Sequence, residues 1–117
     1  LTVAENLSLF LLMRNNKHAI EEIDSNLLNL NILDKKDIPI ERLSAGQIQK
    51  VKLAKTMLCS KWDFCLLDEP ETNLDKDGME VLITCLRNWK EKNKIVVIAS
   101  HNQKLYEELT PTILRLD

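Results

Sequence analysis

Leu66-Leu67-Asp68-Glu69-Pro70-Glu71-Thr72-Asn73-Leu74-Asp75 is an apolar run that stops abruptly at two adjacent carboxylates and a proline. With Phe64 and Cys65 before it, the run is short and continuously apolar, the pattern of a strand buried on both faces of a parallel sheet, and Asp68 marks its polar exit. Open α/β sheets place their ligand chemistry at such carboxyl ends. Asp68, continuing the strand, is set to hold Mg²⁺ directly or through water, and Glu69, pointing elsewhere, to polarise an attacking water. Pro70 stiffens the turn. An isolated Asp-Glu pair is more simply a strand that ends in acidic residues. The apolar residues before it, Pro70 after it and Asn73-Leu74-Asp75 at fixed distance favour the chemical reading.

Upstream, Ser44-Ala45-Gly46-Gln47 has the Ser-x-x-Gln form of a capping box and places a hydroxyl and an unobstructed backbone at a helix start. Unpaired amides and the positive end of the helix dipole meet there, so a phosphate can bind. Alone, the tetrapeptide is more simply an ordinary cap. Downstream, Ser100-His101 closes a second apolar strand, where an imidazole can reach a phosphate oxygen or hold a carboxylate. Without the other two motifs, His101 would be read as a satisfied structural histidine. His18 has no such context and is assigned to the surface.

The bulk composition narrows the classes. The chain has 117 residues, 44% hydrophobic and 29% charged, which fits one globular domain better than disorder. A net charge of −2 gives no electrostatic case for nucleic acid. The longest apolar runs, Leu9 to Met13 and Ile95 to Ala99, are too short to span a bilayer. Cys59, Cys65 and Cys85 lack metal-ligand spacing and each lies in an apolar periodic stretch, so buried free thiols in a reducing setting are expected.

Thr2-Val3-Ala4-Glu5 is another capping box, opening a helix with Val3, Leu7, Phe10 and Leu11 as its apolar face, Met13 at the margin and Asn15-Asn16 as its end. Ile20, Ile23, Leu27 and Leu30 recur at helical spacing and give a second helix. Residues 31 to 42, with Asp34-Lys35-Lys36-Asp37 and Pro39, read as a solvated connection. The third helix begins at Ser44 and turns Ile48, Val51, Ala54 and Leu58 inward. Asp75 caps a helix bearing Met79, Leu82, Ile83, Leu86 and Trp89, and Lys92-Asn93-Lys94 turns into the strand Ile95 to Ala99. A short helix from Asn102 to Leu109 and a strand over 112 to 116 complete the expectation. The two buried strands should lie parallel in one sheet, joined by the helix after Asp75 in a right-handed crossover.

Taken in order, these motifs resemble those of an ABC-type ATPase: Leu43 to Gln47 is similar to the signature, Cys65 to Glu69 to Walker B, Asn73 to Asp75 to the D-loop, and Ser100-His101 to the switch histidine. Leu1 to Leu7, Asp37 to Gln47 and Leu74 to Gly78 look like the haem-exporter branch that serves bacterial cytochrome c maturation. The resemblance implies an α/β fold in which residues 1 to 60 form a helical subdomain including the signature helix, and residues 61 to 117 part of the catalytic core.

By the same resemblance, Asp68 serves Mg²⁺, Glu69 the attacking water and His101 the γ-phosphate. Ser44, Ala45, Gly46 and Gln47 face ATP held by a second ATPase subunit in a head-to-tail dimer, and Asp75 couples the two subunits. ATP and Mg²⁺ are the implied cofactors; inner-membrane permease subunits are the implied partners, at the cytoplasmic face, with no nucleic acid. Ala45 replaces the commoner signature glycine, and Lys50 and Lys55 stand where arginines are more usual. The phosphate loop G-x-x-x-x-G-K-[ST] is absent, since the only glycines are Gly46 and Gly78 and neither precedes a lysine. With an opening at Leu1, the expectation is the C-terminal part of such an ATPase lacking its phosphate-loop region. An ABC-type ATPase acting on nucleic acid or ribosomes and a catalytically silent interaction module are the alternatives.

Overall fold

Thr2 and Ser44 each start a helix by a reciprocal exchange. The Thr2 hydroxyl accepts from the Glu5 amide at 3.1 Å while the Thr2 amide donates to Glu5 Oε1 at 2.9 Å, and Ser44 and Gln47 do the same at 3.2 and 3.0 Å. Each cap contributes about 0.5–2 kcal/mol to its helix. Hydrogen bonds from the Thr2 amide and hydroxyl hold the Glu5 carboxyl below its ordinary value.

The computed structural model describes residues 1–59, 62–102 and 105. Its elements are α1 (Val3–Met13), α2 (Ile23–Asn29), α3 (Ala45–Leu58), β1 (Phe64–Asp68), α4 (Lys76–Glu91) and β2 (Ile95–Ala99), with 3-10 turns at Lys17–Glu22, Leu33–Lys35 and Ile40–Arg42. Of the expected helix from Asn102 to Leu109 only Asn102 and the helical Leu105 are described, and the expected strand over 112 to 116 lies outside the described residues. The second helix divides at Ile23, its first half taking the tighter 3-10 form. Asparagine supplies the left-handed turn residue after α1, α2 and α4, at Asn15, Asn31 and Asn93, with φ of 54°, 61° and 58°.

One apolar cluster runs through the chain: Val3, Leu7 and Leu11 from α1, Ile23 and Leu27 from α2, Val51, Leu53, Ala54 and Leu58 from α3, and Leu82, Leu86 and Trp89 from α4. Fully burying each leucine contributes about 1.5–3 kcal/mol before the entropy of ordering it is subtracted. Trp62 packs edge-on to Trp89 with centroids 5.2 Å apart and donates its indole N–H to the Thr56 carbonyl at 3.2 Å, closing the end of α3 against α4. Asn16, buried past the end of α1, donates Nδ2 to the Leu58 carbonyl at 3.2 Å and ties that end to the end of α3.

The connection 31–42 is not solvated throughout, as its charges had implied. Val3 N–H donates to the Ile38 carbonyl at 3.1 Å, Ala4 N–H to Lys36 at 2.9 Å and Ile40 N–H to Leu1 at 3.0 Å. The segment therefore occupies free amides at the start of α1, burying Ile32 and leaving Lys36 half-exposed, with its Nζ donating to Asp24 Oδ2 at 3.2 Å.

β1 and β2 pair in parallel, Phe64 with Ile95 through Asp68 with Ala99. Among the described residues one face of this pair is covered and the other is exposed. Leu67, Val96 and Ile98 pack against the core, with Cys65 half-buried on the same face, while Phe64, Leu66, Ile95 and Val97 point outward, Leu66 with 64% of its surface exposed. Burial on both faces, expected from the unbroken apolar run, is not seen among the described residues, which pack α4 against β2 and leave Phe64, Leu66, Ile95 and Val97 exposed. Cys85 is buried, but Cys59 and Cys65 are only half-buried, Cys59 because it lies just past the end of α3 and Cys65 because its strand is covered on one side.

Candidate functional site

Two neighbouring clusters hold the residues singled out above. The first lies at the carboxyl ends of β1 and β2. Asp68 is the last residue of its strand and exposed. Glu69 then leaves the extended conformation with φ of 45°, a left-handed geometry that is strained for a glutamate. Its amide donates to the Ala99 carbonyl at 2.7 Å, binding the turn after β1 to the end of β2. His101 follows two residues later, with its Nε2 3.9 Å from Glu69 Oε1. That separation is beyond a hydrogen bond, and His101 is 98% exposed, so the pair approach each other in water rather than locking together.

The turn from Glu69 to Asp75 is closed by Thr72 N–H donating to the Glu69 carbonyl and Leu74 N–H to the Glu71 carbonyl, both at 3.1 Å. Pro70 is buried beneath it and accepts from Gln49 Nε2 at 2.9 Å. Glu71 accepts a hydrogen bond from the Ser100 hydroxyl, and Ser100 Oγ accepts from the Asn102 amide at 2.9 Å.

The second cluster surrounds the start of α3. Ser44, Ala45, Gly46 and Gln47 line a cleft of about 540 Å³ with Lys50, Asn73, Asp75, Asn31 and Ile32. Ser44 Oγ and the Gln47 side chain are engaged in the cap, while the Ala45 and Gly46 amides have no partner among the described residues. Gly46 is required where it stands: a Cβ there would lie 2.5 Å from the Asn73 carbonyl oxygen. Asn73 itself turns left-handed, with φ of 63°. Asp75 Oδ1 caps α4 by accepting from Gly78 N–H at 2.7 Å and faces Lys50 Nζ at 3.9 Å.

Asp68, Glu69 and His101 are thus brought together at the strand ends, and Ser44, Ala45, Gly46, Gln47 and Asp75 around the cleft. None of the first three lines the cleft. The sequence reading noted Lys50 only as standing where an arginine is more usual and gave it no place in the site; it is only 7% exposed, and its spacing of four from both Gly46 and the buried Ala54 places it on their face of α3. Glu71 carried no local signal, since its partner Ser100 is 29 residues away. Among the described residues no group of three or more His, Cys, Asp or Glu side chains could cage a metal ion. A single exposed carboxylate such as Asp68 could serve Mg²⁺, which keeps most of its waters and takes one or two carboxylates. No helix among the described residues is long and apolar enough to cross a membrane.

Residues 1–72 match the ABC transporter family. The chain is 37% identical over 101 residues to the cytochrome c biogenesis ATP-binding export protein CcmA of Vibrio parahaemolyticus, a match covering 86% of this chain and 49% of that protein. It is 35% identical over 118 residues to the "Probable metal transport system ATP-binding protein" of Thermotoga maritima, covering 100% of this chain and 49% of that one. The chain therefore spans about half the length of these curated relatives. Among solved structures it is similar to RNase-L Inhibitor, with a TM-score of 0.70 and 30% identity over 92% of this chain and 21% of that one. A putative metal-chelate type ABC transporter in an inward-facing conformation shares the fold at a TM-score of 0.66 and 18% identity, covering 93% of this chain and 46% of that one.

Proposed function

This chain belongs to the ABC transporter family, and on that premise we propose that it is the signature-to-switch portion of a subunit that hydrolyses ATP between two head-to-tail copies and so drives a membrane permease. The observation that carries the reading is the hydrogen bond from Glu69 N–H to the Ala99 carbonyl, which sets an acidic and an imidazole side chain at adjacent strand ends. Glu69 accepts a proton from the attacking water, and His101 donates toward the γ-phosphate. Asp68 holds Mg²⁺, which when bound neutralises charge on the phosphates.

Ser44, Ala45, Gly46 and Gln47 offer their helix start to the nucleotide of the other copy. A dimer is favoured because this helix start and the strand-end pair do not share one cleft. Asp75, facing the same cleft, couples the copies. Residues 1–60 act as the helical, permease-facing subdomain and 61–117 as part of the catalytic core, working at the cytoplasmic face of a bacterial inner membrane. Haem export in cytochrome c biogenesis is the preferred transport role, on the likeness to CcmA.

In the full-length protein, Glu69→Gln should leave ATP binding intact and slow hydrolysis by ~10²–10⁴, about 3–5 kcal/mol of barrier. A variant with normal turnover removes Glu69 from this role. A second reading, an ATPase acting on ribosomes, draws on the likeness to an archaeal ribosome recycling factor at 30% identity and a TM-score of 0.70. Cosedimentation with ribosomes, against copurification with membrane proteins, separates the two.

A further inference from the structure

We propose that Glu71 is a positioning residue for His101: by accepting from the Ser100 hydroxyl, its carboxylate fixes the segment 100–102 that carries the imidazole toward Glu69. The proposal rests on the reading of Glu69 and His101 as the hydrolytic pair.

Among the described residues the side chain of His101 approaches only Glu69, at 3.9 Å, and it is almost wholly exposed. Its placement must come from the backbone on either side. On the near side, Glu69 N–H holds the Ala99 carbonyl at 2.7 Å. Across His101, Ser100 Oγ accepts from Asn102 N–H at 2.9 Å, bracing the residue in a short side-chain turn. The hydroxyl proton of that turn is directed at the Glu71 carboxylate. A carboxylate acceptor makes this a charge-assisted bond, stronger than a neutral one.

Glu71 is itself fixed, since Leu74 N–H donates to its carbonyl within the turn that presents Glu69. One short turn therefore carries both the residue facing water and the tether of the histidine beside it. The second carboxylate oxygen, Oε2, is buried with no hydrogen-bond partner among the described residues. A group placed only for local stability gains nothing from a charge whose other half is desolvated and unpaired.

The test uses the full-length protein and compares Glu71→Ala, Glu71→Gln, Ser100→Ala and the Glu71→Ala/Ser100→Ala pair, each with His101 present or replaced by alanine. Glu71→Ala should lower kcat about 10-fold with KM little changed, because misplacement of about 1 Å can cost about 100-fold. Glu71→Gln, which keeps an acceptor oxygen, should recover most of it. The double variant should be no worse than either single one, and Glu71→Ala should have no further effect once His101 is gone. An equal loss in the His101→Ala background overturns the proposal and makes Glu71 merely structural.

Amide exchange provides a readout independent of turnover. Protection at Asn102 should fall in Glu71→Ala while α3 and α4 keep theirs, and unchanged protection at Asn102 overturns the tether. A wild-type protein with no ATPase activity overturns the hydrolytic reading and the catalytic part of this proposal together. An active wild type whose His101→Ala variant turns over normally overturns the role of His101, and with it the positioning role of Glu71.

Discussion

The Asn73 carbonyl oxygen sits where a side chain on Gly46 would begin, 2.5 Å from the position of a Cβ. The start of α3 and the turn after β1 are therefore in backbone contact, and neither partner is a flexible side-chain end that could swing aside. In an unconstrained helix, glycine to alanine stabilises by up to about 1 kcal/mol. Here the sign should reverse: Gly46→Ala should destabilise by about 1–3 kcal/mol, the usual range for overpacking, read as a lowered urea midpoint. A stabilised variant would show that the two backbones are not held together.

Asp75 has one oxygen in two relationships, the α4 cap and the approach of Lys50. The cap contributes more, because Asp75 is mostly exposed and a 3.9 Å pair at such a site adds little. Asp75→Ala should cost about 1 kcal/mol, and Asp75→Asn, which keeps an acceptor, distinctly less. Equal losses in chemical denaturation would transfer the weight to the charge.

Leu11 and Leu12 are neighbours with opposite fates, the first wholly buried and the second half in water. Leu11→Ala should cost about 2–5 kcal/mol. Leu12→Lys and Met13→Lys should change stability by no more than about 0.5 kcal/mol, Met13 being 77% exposed. If the run contacts a permease, the lysine variants should copurify less of it while ATP binding is unchanged. An unfolded Leu12→Lys protein would assign the residue to the core instead.

Burial pushes the Cys85 thiol up to about 11 from an ordinary 9.0, so the folded protein keeps a proton that the unfolded chain releases sooner. Its contribution is complete below 9.0 and is lost as pH rises toward 11. The slope is up to about 1.4 kcal/mol per pH unit. Urea midpoints at about pH 8 and about pH 10 should differ less in Cys85→Ala than in the parent. An identical alkaline slope in both would move the effect to another group.

What could be read from the sequence was what is decided within a few residues. Thr2 with Glu5, Ser44 with Gln47 and Asp75 with Gly78 are three apart, and each formed the cap its spacing implied. The order of helices and strands followed, because periodicity is local too. What escaped depends on distant partners. Residues 36 and 38 bond to the start of α1, over thirty positions earlier, so their charges misrepresented their backbone. Leu66 and Val97 have the composition of buried strand residues, but exposure is decided by what covers a face. The residues proposed for Mg²⁺ and water were read from their flanks, whereas the place of Lys50 beside Asp75 and the bond of Glu71 to Ser100 became visible only when α3, the turn and β2 were assembled.

The left-handed turns at Asn15, Asn31 and Asn93 have a consequence for the denatured chain. Those turns are positions where glycine is the common choice, yet the protein has only 2 glycines, both placed elsewhere. A glycine would sample far more backbone conformations when unfolded, and removing that freedom at a compatible site stabilises by about 0.4–1 kcal/mol. Asparagine tolerates the left-handed region through its short polar side chain, so each turn closes from a narrower starting ensemble. Part of the resistance of this chain to unfolding thus lies in the conformations its unfolded turns do not visit, and no contact in the folded structure records it.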